Sequence, residues 1–250
     1  MSALGGALVA FRYLTVLPLP RSRTPGDLGR AAGWFPVVGL ALGGILALAS
    51  LALDRLVPPA VSGMLLVVLW AGLTGGLHLD GLADTADGLG GGWSRERALA
   101  IMRDGRSGPY GVTAIVLVLG LKTAALASLP DGLVSRTLVA SAVLGRTGPL
   151  LLVGLCPPAR PEGAGHSFAA GARVPGLLVG GLVTVAVCWI ALGPWGLVPI
   201  AAAGLATCAL AAVVRRRLGG FTGDTLGALV EGIEAGVLTV AVSLDFLALG

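Results

Sequence analysis

Residues 75 to 90 read GGLHLDGLADTADGLG and carry Asp80, Asp84 and Asp87, three of only 13 acidic residues in the chain. On a helix, steps of four and seven residues turn through roughly 400° and 700°, so the three carboxylates fall within about 60° of one another. Like charges on one face repel unless a cation sits between them. A hard divalent ion such as Mg²⁺, which takes carboxylate oxygens and keeps some of its waters, suits that face. Such an ion neutralises phosphoryl oxygens and orients an in-line attack. The competing reading is a solvated helix face, which would normally interleave Lys or Arg, and residues 75 to 94 contain neither.

Other groups could share this chemistry. His78 lies two residues before Asp80, so a regular helix would turn it away from the carboxylates. It serves as a ligand or base only if the helix starts there, and a purely structural histidine is an equal reading. His166 has no clustered partner in the sequence and reads as structural. Residues 101 to 111, IMRDGRSGPYG, place Arg103 and Arg106 around Asp104. Paired guanidinium groups reach phosphate oxygens with forked donors, and Asp104 could add a ligand or hold an arginine, although juxtamembrane anchoring explains the same residues. Near the end of the chain, Gly223-Asp224-Thr225 echoes Ala83-Asp84-Thr85, with Glu231 seven residues beyond Asp224 and Glu234 after it. Two acidic patches could share metals, or divide between metal and base.

The remainder of the chain must position these groups. With 55% hydrophobic residues, 12% charged residues, 41 glycines and a mean hydropathy of +0.91, the composition is that of a polytopic helical membrane protein. A formal net charge of +4 is to be read through loop positions, since Lys122 is the single lysine and no nucleic-acid module is present. Cys156, Cys188 and Cys208 lack CxxC spacing and read as buried small hydrophobes. No cleaved signal peptide is expected.

We expect an all-α protein forming a single transmembrane catalytic domain over residues 1 to 250, with about seven spans. The first 30 residues, interrupted by Pro18 and Pro20, suit an interfacial or re-entrant segment. Uncharged or nearly uncharged runs then cover 31–53, 56–77, 110–129, 134–156, 174–193 and 197–214, with a last stretch from 237. Polar loops are expected at 78–106, 157–173 and 218–236. With the N-terminus in the cytoplasm, most of the 17 basic residues fall on that side. These include Arg21, Arg23, Arg173 and the Arg215–Arg217 triplet, whereas Arg55 lies outside. All three polar loops then face the cytoplasm and can converge on one site. Glycines within the spans read as contact points between helices. Those around the acidic stretch and in GGFTGDTLGA read as places where a ligand approaches the backbone.

HLDGLADTADGLGG, IMRDGRSGPYG and GGFTGDTLGA together resemble the cobalamin synthase family, the adenosylcobinamide-GDP ribazoletransferases. FRYLTVLPLP, WFPVVG, LGR at Arg146 and ARPEGAGHSF extend the likeness over almost the whole chain in the family's order. Gly105 and Pro109 depart from it, where a Ser- and Thr-like pair is expected. The resemblance implies Mg²⁺-dependent phosphoryl transfer in the cytoplasmic (inner) membrane, with adenosylcobinamide-GDP and α-ribazole, or its 5′-phosphate, as substrates and GMP as leaving group. Asp80, Asp84 and Asp87 would hold metal, and Arg103, Arg106, Arg146, Thr225 and Glu231 would face substrate. Asp84, Asp104, Asp224 and His78 are the catalytic candidates, with the proton acceptor left open. Membrane lipid would surround the protein, an oligomer is compatible with the sequence, and nucleic acid is not expected as a partner.

Two other classes compete. A CDP-alcohol phosphotransferase needs DGxxAR followed by GxxxDxxxD, but Asp80-Gly81 is followed by Leu82-Ala83-Asp84. A transporter would use Lys122, Arg146 and Asp245 along a pathway, yet most charge is gathered in loops.

Overall fold

The structure is a computed structural model, and it describes residues 3–19, 28–171 and 174–249. The expectations placed on Arg21, Arg23 and Arg173 fall outside the described residues. The chain forms α1 (Ala3–Leu14), α2 (Leu28–Ala31), α3 (Phe35–Leu53), α4 (Pro59–Thr74), α5 (Leu77–Gly91) and α6 (Arg95–Asp104). It continues with α7 (Pro109–Ser128), α8 (Asp131–Leu155), α9 (Ala164–Gly171), α10 (Val174–Leu192), α11 (Leu197–Leu218) and α12 (Gly223–Leu249). No strand occurs among the described residues, only an isolated bridge between Pro158 and Phe221. The all-helical, polytopic architecture expected from composition is the one observed.

Prolines open several helices, in the first turns of α3, α4 and α7, where backbone N–H groups have no helical acceptor to lose. Helix α8 runs through the middle of the bundle and touches α3, α10, α11 and α12. Hydrophobicity cannot drive helices together in lipid, so close approach has to come from small residues. A Cβ on Gly39 would lie 2.5 Å from the carbonyl oxygen of Ala142, and one on Gly43 2.7 Å from Val139 Cα. This four-residue glycine spacing lets α3 lie backbone to backbone on α8. Large apolar side chains such as Leu48, Leu117, Leu182, Ile190 and Leu205 point outward and are exposed. That is the surface of a protein whose solvent is lipid.

Five helical stretches among the described residues are long and apolar enough to cross a membrane, and α4 with α5 adds a sixth if that bent pair is one crossing. The longest stretch, Val174–Leu218, spans 45 residues, more than twice the ~20 that one crossing needs. It is broken at Gly193–Gly196 into α10 and α11, and Gly193 has φ +60°. Counted as two crossings, it restores the expected seven.

Three expectations need correction. The second apolar run does not continue straight to residue 77: α4 ends at Thr74 and the chain turns by 92° into α5. The turn is made by Gly75 and Gly76 at φ +61° and +71°, values that cost a side-chain-bearing residue energy. Residues 78–106 are therefore two helices, not a loop. The stretch 218–236 is likewise mostly helix, since α12 starts at Gly223 and runs unbroken through Glu231 and Glu234. Its polarity suggests a loop, but both glutamates are buried and paired. Finally, Cys208 is exposed on the outer face of α11, while Cys156 and Cys188 are buried as expected.

Candidate active site

Helices α5 and α12 cross where Gly81 meets Gly227. A Cβ on Gly81 would lie 2.7 Å from the Asp224 carbonyl oxygen and 3.2 Å from Gly227 Cα, while one on Gly227 would lie 3.2 Å from the His78 carbonyl oxygen. These glycines serve contact between two protein backbones, and both also line a cavity at this crossing. Their contact gives the sequence echo a spatial meaning, because the two Asp-Thr motifs come together. Asp84 is buried and sits within electrostatic reach of Asp80, Asp224 and Asp87. Among the described residues, Asp80, Asp84 and Asp224 form no ion pair. Asp224 accepts a hydrogen bond from the Thr222 hydroxyl at 3.2 Å.

Three cavities meet on this group. Asp80 lines an open cleft of about 630 Å³ that also includes Thr15, Gly76 and Ser107. Asp80 and Asp224 both line a largely apolar cavity of about 180 Å³, with His78, Arg146, Phe35 and Phe168 in its wall. Asp224 also borders a polar cavity of about 90 Å³ with Arg160, Glu162, His166 and Gly223. His78 therefore does not turn away from the carboxylates. It is buried and faces the same space as Asp80 and Asp224, because α5 begins one residue before it.

The remaining sequence candidates divide. Asp87 is buried, and its two oxygens accept from the backbone N–H groups of Gly108 at 2.6 Å and Gly111 at 2.9 Å. It caps α7 from a neighbouring helix, a carboxylate placed where unpaired N–H groups and the helix dipole favour it. Thr225 is fully buried in a local cap: its hydroxyl accepts from Thr222 N and donates to the Thr222 carbonyl. Thr225 lies in the first turn of α12 and lines none of these three cavities. Glu231 is also turned inward. Lys122 Nζ lies 2.5 Å from Glu231 Oε2 and 2.5 Å from Glu234 Oε2, and Arg146 pairs with Glu234. The Lys122 ammonium also sits 4.8 Å from the centroid of the Trp70 ring. Two cations and two anions make a neutral buried cluster, and the void beside Lys122 and Glu231 is about 10 Å³. That is barely the space of one water. Only Arg146 of this cluster reaches the apolar cavity.

Arg103, Asp104 and Arg106 are exposed at the rim. Arg106 grips Asp104 through two nitrogens at 3.1 and 2.6 Å, and this hydrogen bond holds the Asp104 carboxyl below its ordinary range. A carboxylate stabilised in that way is a poor proton acceptor. The sequence reading passed over Arg160 and favoured a structural role for His166. Both border the polar cavity beside Asp224. Arg160 donates to the Leu99 carbonyl at 2.6 Å, while its buried Nε has no partner among the described residues. The signal available was the ARPEGAGH segment itself, polar in a chain where polarity is scarce.

The expected convergence of the three polar regions is observed. Arg95 donates to the Leu218 and Ala159 carbonyls, Arg217 to Leu89 and Gly92, and Ala159 N to the Phe221 carbonyl. These bonds tie α5, α6, the 157–163 segment, the end of α11 and the turn that leads into α12 into one end of the bundle.

Fold and site together define a polytopic, all-helical membrane protein with a carboxylate-lined cleft at one end. The family model described as cobalamin-5-phosphate synthase matches residues 6–242, and the chain belongs to that family. Adenosylcobinamide-GDP ribazoletransferase of Stutzerimonas stutzeri is 44% identical over 92% of this chain and 95% of its own length. The Pseudomonas aeruginosa protein of that name is 44% identical over 97% and 99%, and the Roseiflexus one 40% over 96% and 91%. No solved structure matches the chain. The protein is a transferase of cobalamin assembly.

Proposed function

We propose that the chain joins α-ribazole, or its 5′-phosphate, to adenosylcobinamide-GDP with release of GMP, a reading supported by its relatives' name, adenosylcobinamide-GDP ribazoletransferase. The observation that carries this reading is the meeting of Asp80, Asp84 and Asp224 without an ion pair among the described residues, with Asp80 and Asp224 lining three adjoining cavities. In the reaction, the ribose 3′-hydroxyl oxygen forms a bond to the cobinamide-linked phosphorus. The bond from that phosphorus to the bridging oxygen breaks, and GMP leaves with that oxygen.

Among the described residues, no three His, Cys, Asp or Glu side chains form a ready-made metal cage. Mg²⁺ does not need one, because it is commonly held by one or two carboxylates together with substrate phosphates. The donor set of Asp80, Asp84 and Asp224 fits that mode, and Asp87 is left to its cap. When bound, the metal would supply charge neutralisation on the diphosphate. Asp224 or Asp84 takes the hydroxyl proton, with His78 beside the same cavity. Arg160 and His166 contact phosphate oxygens next to Asp224, and Arg103 and Arg106 at the rim steady the departing nucleotide. The open cleft at Asp80 admits the cobinamide-bearing end of the donor.

The charge pattern supports placing the N-terminus and this end of the bundle in the cytoplasm, in the inner membrane. Transport is the weaker reading, since Lys122 and Arg146 are neutralised in a packed cluster instead of lining a path. The test is purified protein in lipid with adenosylcobinamide-GDP, ribazole and Mg²⁺. GMP release is expected only when both substrates are present, and no release would refute the reading.

A further inference from the structure

The cavity between Asp80 and Asp224 has a largely apolar wall, unlike its two neighbours. At about 180 Å³ it is well below the roughly 300–1,000 Å³ that hold a whole drug-sized ligand. It has room for one flat ring system, but not for a nucleotide or a corrinoid. Its wall is aromatic: Phe35 and Phe168 stack with centroids 5.3 Å apart and an interplanar angle of 24°, and both are buried. Leu14, Leu226 and Val230 extend the apolar surface. Polar groups are few: Tyr13, His78, Asp80, Arg146 and Asp224. Asp80 is shared with the open cleft and Asp224 with the polar cavity, while His78 and Arg146 belong to this cavity alone. His78 Nδ1 and Arg146 Nε are buried without a partner among the described residues, although His78 is 4% and Arg146 1% exposed. An orphaned polar atom in such a setting is expensive, and a ligand nitrogen can satisfy it.

These features discriminate between the rings that the proposed reaction brings to the site. Guanine carries N7, O6 and N2 groups on its edges, and an apolar wall would strip them of water without replacing the bonds. A benzimidazole-type base linked to ribose has one free ring nitrogen and otherwise apolar edges. It matches a stacked aromatic wall with one polar floor.

We propose that this cavity is the subsite for the acceptor nucleoside's base, taking a flat, nearly apolar bicyclic azole between the Phe35–Phe168 wall and the α5–α12 crossing. With the ring inside, its ribose emerges between Asp80 and Asp224, so the hydroxyl meets the carboxylates that activate it. Phe168 is then a specificity-determining residue. The inference rests on ribazole being the acceptor, as proposed above.

The test is two-substrate kinetics in lipid with wild type, Phe168→Leu and Phe168→Ala, together with inhibition by free 5,6-dimethylbenzimidazole. The base is expected to compete with ribazole and not with adenosylcobinamide-GDP. The KM for ribazole should rise about tenfold or more in Phe168→Ala and less in Phe168→Leu, with the KM for adenosylcobinamide-GDP within about twofold of wild type. The unchanged donor KM also reports that the variants fold. Should Phe168→Ala fail to insert, Phe168→Leu and the inhibition pattern decide. A wild type that turns over but shows no competition between base and ribazole, or a donor KM that rises equally, overturns the subsite alone. A wild type that releases no GMP overturns the proposed function instead, and direct titration of the free base then still reads the cavity: binding weakened by Phe168→Leu upholds it, and equal or absent binding overturns it.

Discussion

Helices α5 and α12 carry two sets of acidic residues whose surroundings are opposite. Glu231 and Glu234, in the interior of α12, are matched charge for charge by Lys122 and Arg146. Asp80, Asp84 and Asp224, at the end of the bundle, face one another without an ion pair among the described residues, although the Arg160 guanidinium acts on Asp224 across the polar cavity. The first set is complete, and burying it holds α7, α8 and α12 in register. The second is short of positive charge, which in the proposed reaction would come from the metal. Buried acids in membrane proteins are commonly read as functional. Here the distinction lies in whether the fold itself supplies the counter-charge.

Breaking each set should therefore give different failures. Asp84→Asn is expected to lower turnover by about 10³-fold or more, on the scale set by loss of a transition-state contact, while membrane insertion and thermal stability stay near wild type. Removal of divalent ions with a chelator should have the same signature, reversed by Mg²⁺. Retained turnover in Asp84→Asn would move that aspartate out of the active set.

Lys122→Met leaves two buried carboxylates partly uncompensated, and breaking a buried pair in this way costs about 3–5 kcal/mol. The expected result is a large drop in thermal midpoint in detergent or nanodiscs. Adding Glu231→Gln should recover part of it. An equal midpoint in Lys122→Met would show that the cluster is not structural.

Asp87→Asn sharpens the comparison, because Asp87 belongs to the acidic stretch by sequence and to the structural set by its bonds. Loss of its charged cap on α7 should cost about 1–2 kcal/mol, with the thermal midpoint falling and the Mg²⁺ dependence of turnover unchanged. A shifted Mg²⁺ requirement would return Asp87 to the metal set.

The smallest effect is expected at the rim. Arg106 holds the Asp104 carboxyl below its ordinary range, so Asp104 is already ionised through neutral and mildly acidic pH. Asp104→Asn should leave the acid limb of the pH–rate profile in place. Disappearance of that limb would make Asp104 the proton acceptor after all.

Much of this was legible in the residues. The membrane class, the main apolar runs and the three polar regions follow from composition and hydropathy, because lipid leaves so few ways to satisfy a backbone. The acidic motif was legible as well, since carboxylates without Lys or Arg among them are rare in so apolar a chain. Thr225 and Glu231 read as substrate contacts because sequence shows that a polar group exists, not which way it turns. His78 stays open between a ligand and a structural reading in the sequence for a related reason: helical angles relate residues to their own axis, whereas the cavity it faces is closed by α12, well over a hundred residues away. Arg160 and His166 stand in a polar segment of the sequence, but only the structure brings them beside Asp224.

By itself, then, the sequence determined a helical membrane protein with an acidic, phosphate-suited stretch, because those properties are local in charge, hydropathy and spacing. Tertiary structure decided which acids are answered by the protein and which are left open. That outcome depends on the crossing at Gly81 and Gly227 and on the reach of Lys122 and Arg146, and electrostatic matching between distant helices is not written in either helix alone.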